Sequence, residues 1–81
     1  MPFEFHELMS QHLAAAAYDP EEQQLVVRFQ DGAEWLYPNV PQSTFDLLMN
    51  SGSPGSFMHS VIKPIHGLHA TKLKGKTPHG L

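Results

Sequence analysis

Polar and apolar positions alternate most clearly between residues 24 and 40. QLVVRFQ, residues 24 to 30, is β-branched and alternating, which predicts a strand. Asp31-Gly32 follows, the strongest short-range hairpin signal. AEWLYPNV, residues 33 to 40, is the return strand, with Pro38 ending its pairing or marking an edge. LAAAAYD, residues 13 to 19, is ambiguous. Its four alanines favour helix, yet it runs into the turn signal Asp19-Pro20 and is followed by a clear strand. Beyond Pro41 the apolar spacing lengthens to three and four, so QSTFDLLMN puts Phe45, Leu48 and Met49 on one helical face. Asn50-Ser51-Gly52 stops that helix. Ser53-Pro54 reads as the next start, with a capping hydroxyl and a proline at the first helical position. The second helix presents Phe57, Met58, Val61 and Ile62. It ends at Pro64, because the residue before a proline is pushed out of helical geometry. The pattern predicts an α+β domain, a three-stranded antiparallel β-meander followed by two helices packed on one face.

A two-residue loop at Asp31-Gly32 fixes an expected register. Arg28 then faces Trp35, Val27 faces Leu36 and Val26 faces Tyr37. Side chains alternate along a strand, so Leu25, Val27, Phe29 and Leu36 share the greasier face, where the helices pack. Val26, Arg28, Gln30, Trp35 and Tyr37 share the other. This register sets Glu34 opposite Phe29 on the greasy face, tolerable only near the open hairpin tip. The functional question is then whether Trp35 and Tyr37 are core, an open platform beside Arg28, or a protein interface.

Composition narrows the frame. Eighty-one residues make one small domain. The chain has no cysteine, hence no disulfide framework, thiol chemistry or thiolate metal site. The acidic start MPFEFHELM does not resemble a secretory signal, and no window approaches the roughly 20 apolar residues of a membrane span. A soluble, cytoplasmic protein of bacterial or phage type, with no membrane association, is expected. The net charge of −3 argues mildly against avid nucleic-acid binding, but its distribution is uneven. Residues 1 to 50 hold all eight acids and Arg28, a net −7; residues 51 to 81 hold Lys63, Lys72, Lys74 and Lys76 and no acid, a net +4. A basic tail can attract phosphate, or it can be a solvated, frayed chain end.

Tyr18-Asp19 precedes the hairpin, Gly32 turns it, and Trp35-Leu36-Tyr37 forms its centre; Val40-Pro41 follows, then Ser53-Pro54-Gly55 leading to Phe57 and Ile62. In this order and spacing the stretch YDPEEQQLVVRFQDGAEWLYPNVPQSTFDLLMNSGSPGSFMHSVIK resembles the KTSC domain, named for its occurrence at the C-terminus of some lysyl-tRNA synthetases and also found as short stand-alone bacterial proteins. Trp35 stands where the family pattern usually has tyrosine. The resemblance divides the chain into an N-terminal extension (1–9), a KTSC-like domain (10–65) and a basic, flexible tail (66–81). It implies no settled activity; RNA binding is suggested by the synthetase context alone, an association and not a mechanism.

The candidate chemistry is that of a binding module, not an enzyme. Single-stranded RNA is held by stacking bases on aromatic rings or guanidinium planes, with cations along the backbone. Trp35, Tyr37 and Arg28 would supply that stacking face. Lys63, Lys72 and Lys74 would meet phosphates. Ser53 and Gly55 belong to SGSPGS, which lacks the lysine and preceding strand of a P-loop but can still hold one phosphate at a helix start. An RNA or a nucleotide is therefore one candidate ligand. A protein partner or a second copy of the chain is the other, favoured by Phe3, Phe5, Leu8 and Met9, which would make a short amphipathic helix that covers the sheet or docks a neighbour. His59, His66 and His69 are poorly spaced for a metal, Ser53 and His59 do not converge as nucleophile and base, and no cofactor is implied.

Overall fold

The structure is a computed structural model and describes residues 4–8, 10–66 and 70–75. The elements are β1 (His6–Glu7), β2 (Leu13–Asp19), β3 (Gln24–Phe29), β4 (Glu34–Tyr37), α1 (Gln42–Met49), α2 (Pro54–Phe57), a π-helical turn (Met58–Ile62), α3 (Lys63–His66) and β5 (Thr71–Lys74). The strands form one antiparallel sheet in the order β1-β2-β3-β4-β5. The class is α+β, and the meander has five strands where the sequence pattern showed three. Both extra strands come from segments assigned to the flanks. His6–Glu7 pairs with Ala15 and Ala16 instead of entering a helix, and Thr71–Lys74, expected in a flexible tail, pairs with β4. Phe3, Met9, His69 and Lys76 lie outside the described residues. No helix among the described residues is long and apolar enough to cross a membrane.

LAAAAYD is a strand because of where it lies. It is flanked on both sides by other strands, and Ala15, Ala16 and Ala17 are all buried. Tertiary burial of this kind overrides the weak helical preference of alanine. Its turn into β3 is fixed by Asp19, which is itself buried and whose Oδ1 accepts from the Glu21 and Glu22 amides at 3.0 and 3.4 Å. Tyr18 stacks on Phe45 of α1 with centroids 4.9 Å apart, and its hydroxyl donates to the Val40 carbonyl. Burial, then the nearby carboxylates of Asp19 and Asp46, push its pKa above the usual phenol value. Tyr18 and Asp19 are thus accounted for by structure.

The β3–β4 register differs from the expected one by a single residue. Leu25 pairs with Tyr37, Val26 with Leu36, Val27 with Trp35 and Arg28 with Glu34. The cause is the turn, a three-residue loop of the bulged type. Phe29 N–H donates to Ala33 O at 2.8 Å, Gly32 N–H donates to Phe29 O at 2.9 Å, and Gly32 sits at φ +93°. Asp31 Oδ1 accepts from the Ala33 amide at 3.0 Å. A one-residue slip exchanges the faces of every side chain on the returning strand. Trp35 and Tyr37 therefore join Leu25, Val27 and Phe29 in the core with Leu13, Leu48, Met58 and Ile62, while Leu36 goes to the opposite face.

The helical layer also departs from expectation at Pro64. The helix does not stop there. Proline has no N–H to give the carbonyl four residues back and its ring crowds that carbonyl. The preceding turn widens instead, Lys63 N–H donates to Met58 O, and the chain continues helically to His66. Ser53 precedes this helix but makes no side-chain capping bond; Pro54 occupies the first helical position and is buried.

Candidate binding cleft

The aromatic face proposed from the sequence is not a surface. Trp35 is 9% exposed and Tyr37 is 1% exposed, both inside the core. Burial pushes the Tyr37 phenol up to about 12. Arg28 lies on the other side of the sheet, where its Nε meets Glu34 Oε2 at 2.8 Å and its guanidinium rests 4.1 Å from the Phe5 ring centroid. The slip in register removes Glu34 from the greasy face and gives it a partner. No base can stack on Trp35 and Tyr37 in this arrangement, and the three residues do not share a face.

The lysines and the SGSPGS segment are also separated. Lys72 and Lys74 belong to β5, at one edge of the sheet, with Lys72 paired in register to Trp35 and Lys74 to Glu34. Lys63 begins α3. Ser53 and Gly55 lie instead against the loop that leads into β2, close to the other edge. Of the phosphate contacts expected from sequence, Ser53 and Gly55 line one cavity together.

That cavity is built from two walls. The first is residues 10–12. Ser10 Oγ accepts from the His12 and Leu13 amides, each at 3.2 Å, and Gln30 pins the loop by donating from Nε2 to the Ser10 and Leu13 carbonyls at 3.0 and 3.2 Å. The Gln30 amide donates to His12 O at 2.9 Å. The second wall is residues 52–56 and the helix that follows. A Cβ on Gly55 would lie 3.2 Å from Ser10 Oγ and 3.5 Å from His12 Cδ2, so the missing side chain is what lets the two walls approach. Between them His12, Gly55, Ser56 and His59 line a depression of about 330 Å³. Beside it lies a second, of about 230 Å³, bounded by Ser10, Gln11 and His12 on one side and by residues 52–56 on the other. Both imidazoles are exposed. The first-turn amides of Gly55 and Ser56 have no carbonyl a turn earlier within their own helix. Among the described residues lining either depression there is no carboxylate.

Sequence reasoning missed His12 entirely. It stands far from His59 along the chain, outside any motif, and only the fold brings the two to one cavity. The signal that was present, Ser53-Pro54-Gly55, marked one wall and gave no hint of the other.

The sequence model of the KTSC domain family matches residues 9–66. A protein from Tsukamurella paurometabola is 46% identical over 55 residues, covering 68% of this chain and 82% of that one. An uncharacterised protein from Stutzerimonas stutzeri is 39% identical over 59 residues, covering 73% of this chain and 83% of its own length. The crystal structure of a KTSC domain protein from Yersinia pestis superposes with a TM-score of 0.81 over 90% of this chain and all of that chain, at 24% identity, a likeness of fold.

Proposed function

Given that the chain belongs to the KTSC domain family, we propose that it is a small non-enzymatic binding module that holds a phosphate-bearing ligand, a nucleotide or RNA, in the cleft between His12 and His59. The observation that supports this reading is the convergence of His12 and His59, far apart in the chain, on one depression with Ser56, beside a second that Ser53 helps to line. Hydroxyls, backbone amides and imidazole N–H groups donate to phosphate oxygens. A chain with a net charge of −3 is a poor general sink for anions. A lining without carboxylates therefore makes this cleft a favourable place for one. The aromatic sheet face plays no part in the proposal.

Nuclear magnetic resonance of the histidine ring protons tests it. Inorganic phosphate, AMP and a short oligoribonucleotide are titrated into the full chain, the His59→Ala variant and the Trp35→Phe variant. The expected result is that His12 and His59 resonances move and that His59→Ala weakens AMP and oligoribonucleotide binding by about fivefold or more, roughly 1 kcal/mol. Trp35→Phe leaves affinity unchanged. Ligand-induced shifts confined to other residues would remove the cleft from consideration.

The protein-interaction reading has less to stand on. The large apolar side chains exposed among the described residues, Leu47 at 60% and Leu73 at 48%, sit on different elements, α1 and β5. Single exposed apolar residues are ordinary on a soluble surface.

A further inference from the structure

We infer that the cleft takes one nucleotide and not a run of them, with the flat base between His12 and His59 and the phosphate against Ser53 and Ser56; this rests on the phosphate-ligand reading above. Three features of the cavity carry it. The first is continuity. The two depressions adjoin, with His12, Gly55 and Ser56 in the walls of both, and measure about 330 and 230 Å³; the larger falls within the size range of small-molecule sites. The second is contrast between the ends. The larger one, between His12, Gly55, Ser56 and His59, is mainly apolar and suits a flat ring. The smaller one is lined by Ser10, Gln11 and Ser53, is more polar, and suits a polar or charged group. A ligand that fills both is flat and apolar at one end and anionic at the other.

The third feature is the placement of positive charge. A polynucleotide site follows the phosphate backbone with a row of cations and aromatic steps. Among the described residues lining the two depressions there is no lysine or arginine. A third depression nearby, lined by Leu8, Ser10, Gln11 and Gln30, adds none among the described residues. The cations of β5 are at the opposite edge of the five-stranded sheet from β1 and β2. Neutral hydroxyl and amide donors suffice for one phosphate. They do not make a track for several.

Calorimetry on the full chain decides the matter with five probes: inorganic phosphate, adenosine, AMP, a dinucleotide and a hexanucleotide of adenylate, at two salt concentrations. AMP is expected to bind about tenfold more tightly than either adenosine or phosphate, because only it fills both ends. The hexamer is expected to match AMP per binding site within about twofold, with a salt slope close to that of one phosphate, about −0.7 to −0.9 on logarithmic axes. His59→Gln, checked for folding by circular dichroism, should weaken AMP by about tenfold while moving phosphate by less than about twofold. Ser53→Ala combined with Ser56→Ala should weaken phosphate and AMP alike. Affinity that climbs with oligonucleotide length, with a steeper salt slope, overturns the single-nucleotide inference and leaves the phosphate-ligand reading standing. AMP binding no better than phosphate does the same. If phosphate, AMP and the hexamer all fail to bind, both readings fall together.

Discussion

Replacing Trp35 tests the observed register more directly than any other change. The indole is 9% exposed and lies among Leu25, Val27, Phe29 and the helical layer. A large aromatic buries roughly 150–250 Å², and at about 25 cal/mol per Å² that is about 4–6 kcal/mol. Measured Trp→Ala losses of about 3–5 kcal/mol agree. An 81-residue domain has a total stability of roughly 4–12 kcal/mol, so Trp35→Ala should leave a chain near its unfolding threshold. Trp35→Phe keeps most of the apolar volume and should cost about 1–2 kcal/mol. Urea unfolding followed by far-ultraviolet circular dichroism measures both losses. The wild-type emission of this single tryptophan supplies the second readout. It should be blue-shifted, protected from iodide, and move to the red only through the unfolding transition. A red-shifted native spectrum, or a Trp35→Ala loss below about 1 kcal/mol, would refute the register and restore the indole to the surface.

Other outcomes follow from particular positions. Gly32→Ala meets no atom within 4 Å but must hold φ at +93°, so it should cost about 1–2 kcal/mol in urea, with Gly32→Asn costing less. Gly75→Ala would place its Cβ on the Ala33 backbone, so β5 should detach and Trp35 become accessible to iodide while β2–β4 stay paired, seen by amide exchange. Tyr37 gives a pH signature. Its folded pKa is raised to about 12 by burial from an ordinary 10.0, so the unfolded chain loses the phenolic proton first and stability is lost as pH rises from 10.0 towards 12. Tyr37→Phe should flatten that decline in an alkaline urea series. Arg28→Ala loses a half-exposed ion pair and the contact with Phe5, and should cost about 1 kcal/mol or less, with part of the loss suppressed by salt.

The local code was legible where one feature decided the outcome. The hairpin at residues 24 to 37, α1 with Leu48 inward, and Pro54 at a helix start all follow from spacing and turn chemistry. The family was legible from the order of Tyr18-Asp19, Gly32, Trp35-Leu36-Tyr37 and Ser53-Pro54-Gly55. What failed was the length of one turn. Asp-Gly serves two-residue and bulged three-residue loops alike, and the choice between them moves Trp35 and Tyr37 through the sheet. The misfit of Glu34 opposite Phe29 was the local sign that the shorter loop was wrong; Arg28 opposite Glu34 resolves it. The edge strands were illegible for a different reason. His6–Glu7 and Thr71–Lys74 are too short and too polar to alternate visibly, and they become strands only because a neighbour presents an open edge. The cleft depends on His12 meeting Gly55 across a large sequence separation, which no periodicity encodes.

The sheet order hides an uneven timetable. β2, β3 and β4 zip through short turns, each closure joining residues close in sequence. The joint between β4 and β5 must wait for both helices, because the whole helical layer lies between those strands in the chain. Closing a long loop is entropically slower than closing a short one, so this seam forms late. The same fluorophore that reports equilibrium burial sits on that seam, since Trp35 pairs with Lys72. Because Trp35 also pairs with Val27 across the β3–β4 seam, a stopped-flow refolding trace would carry its signal from the early hairpin as well as from this last closure.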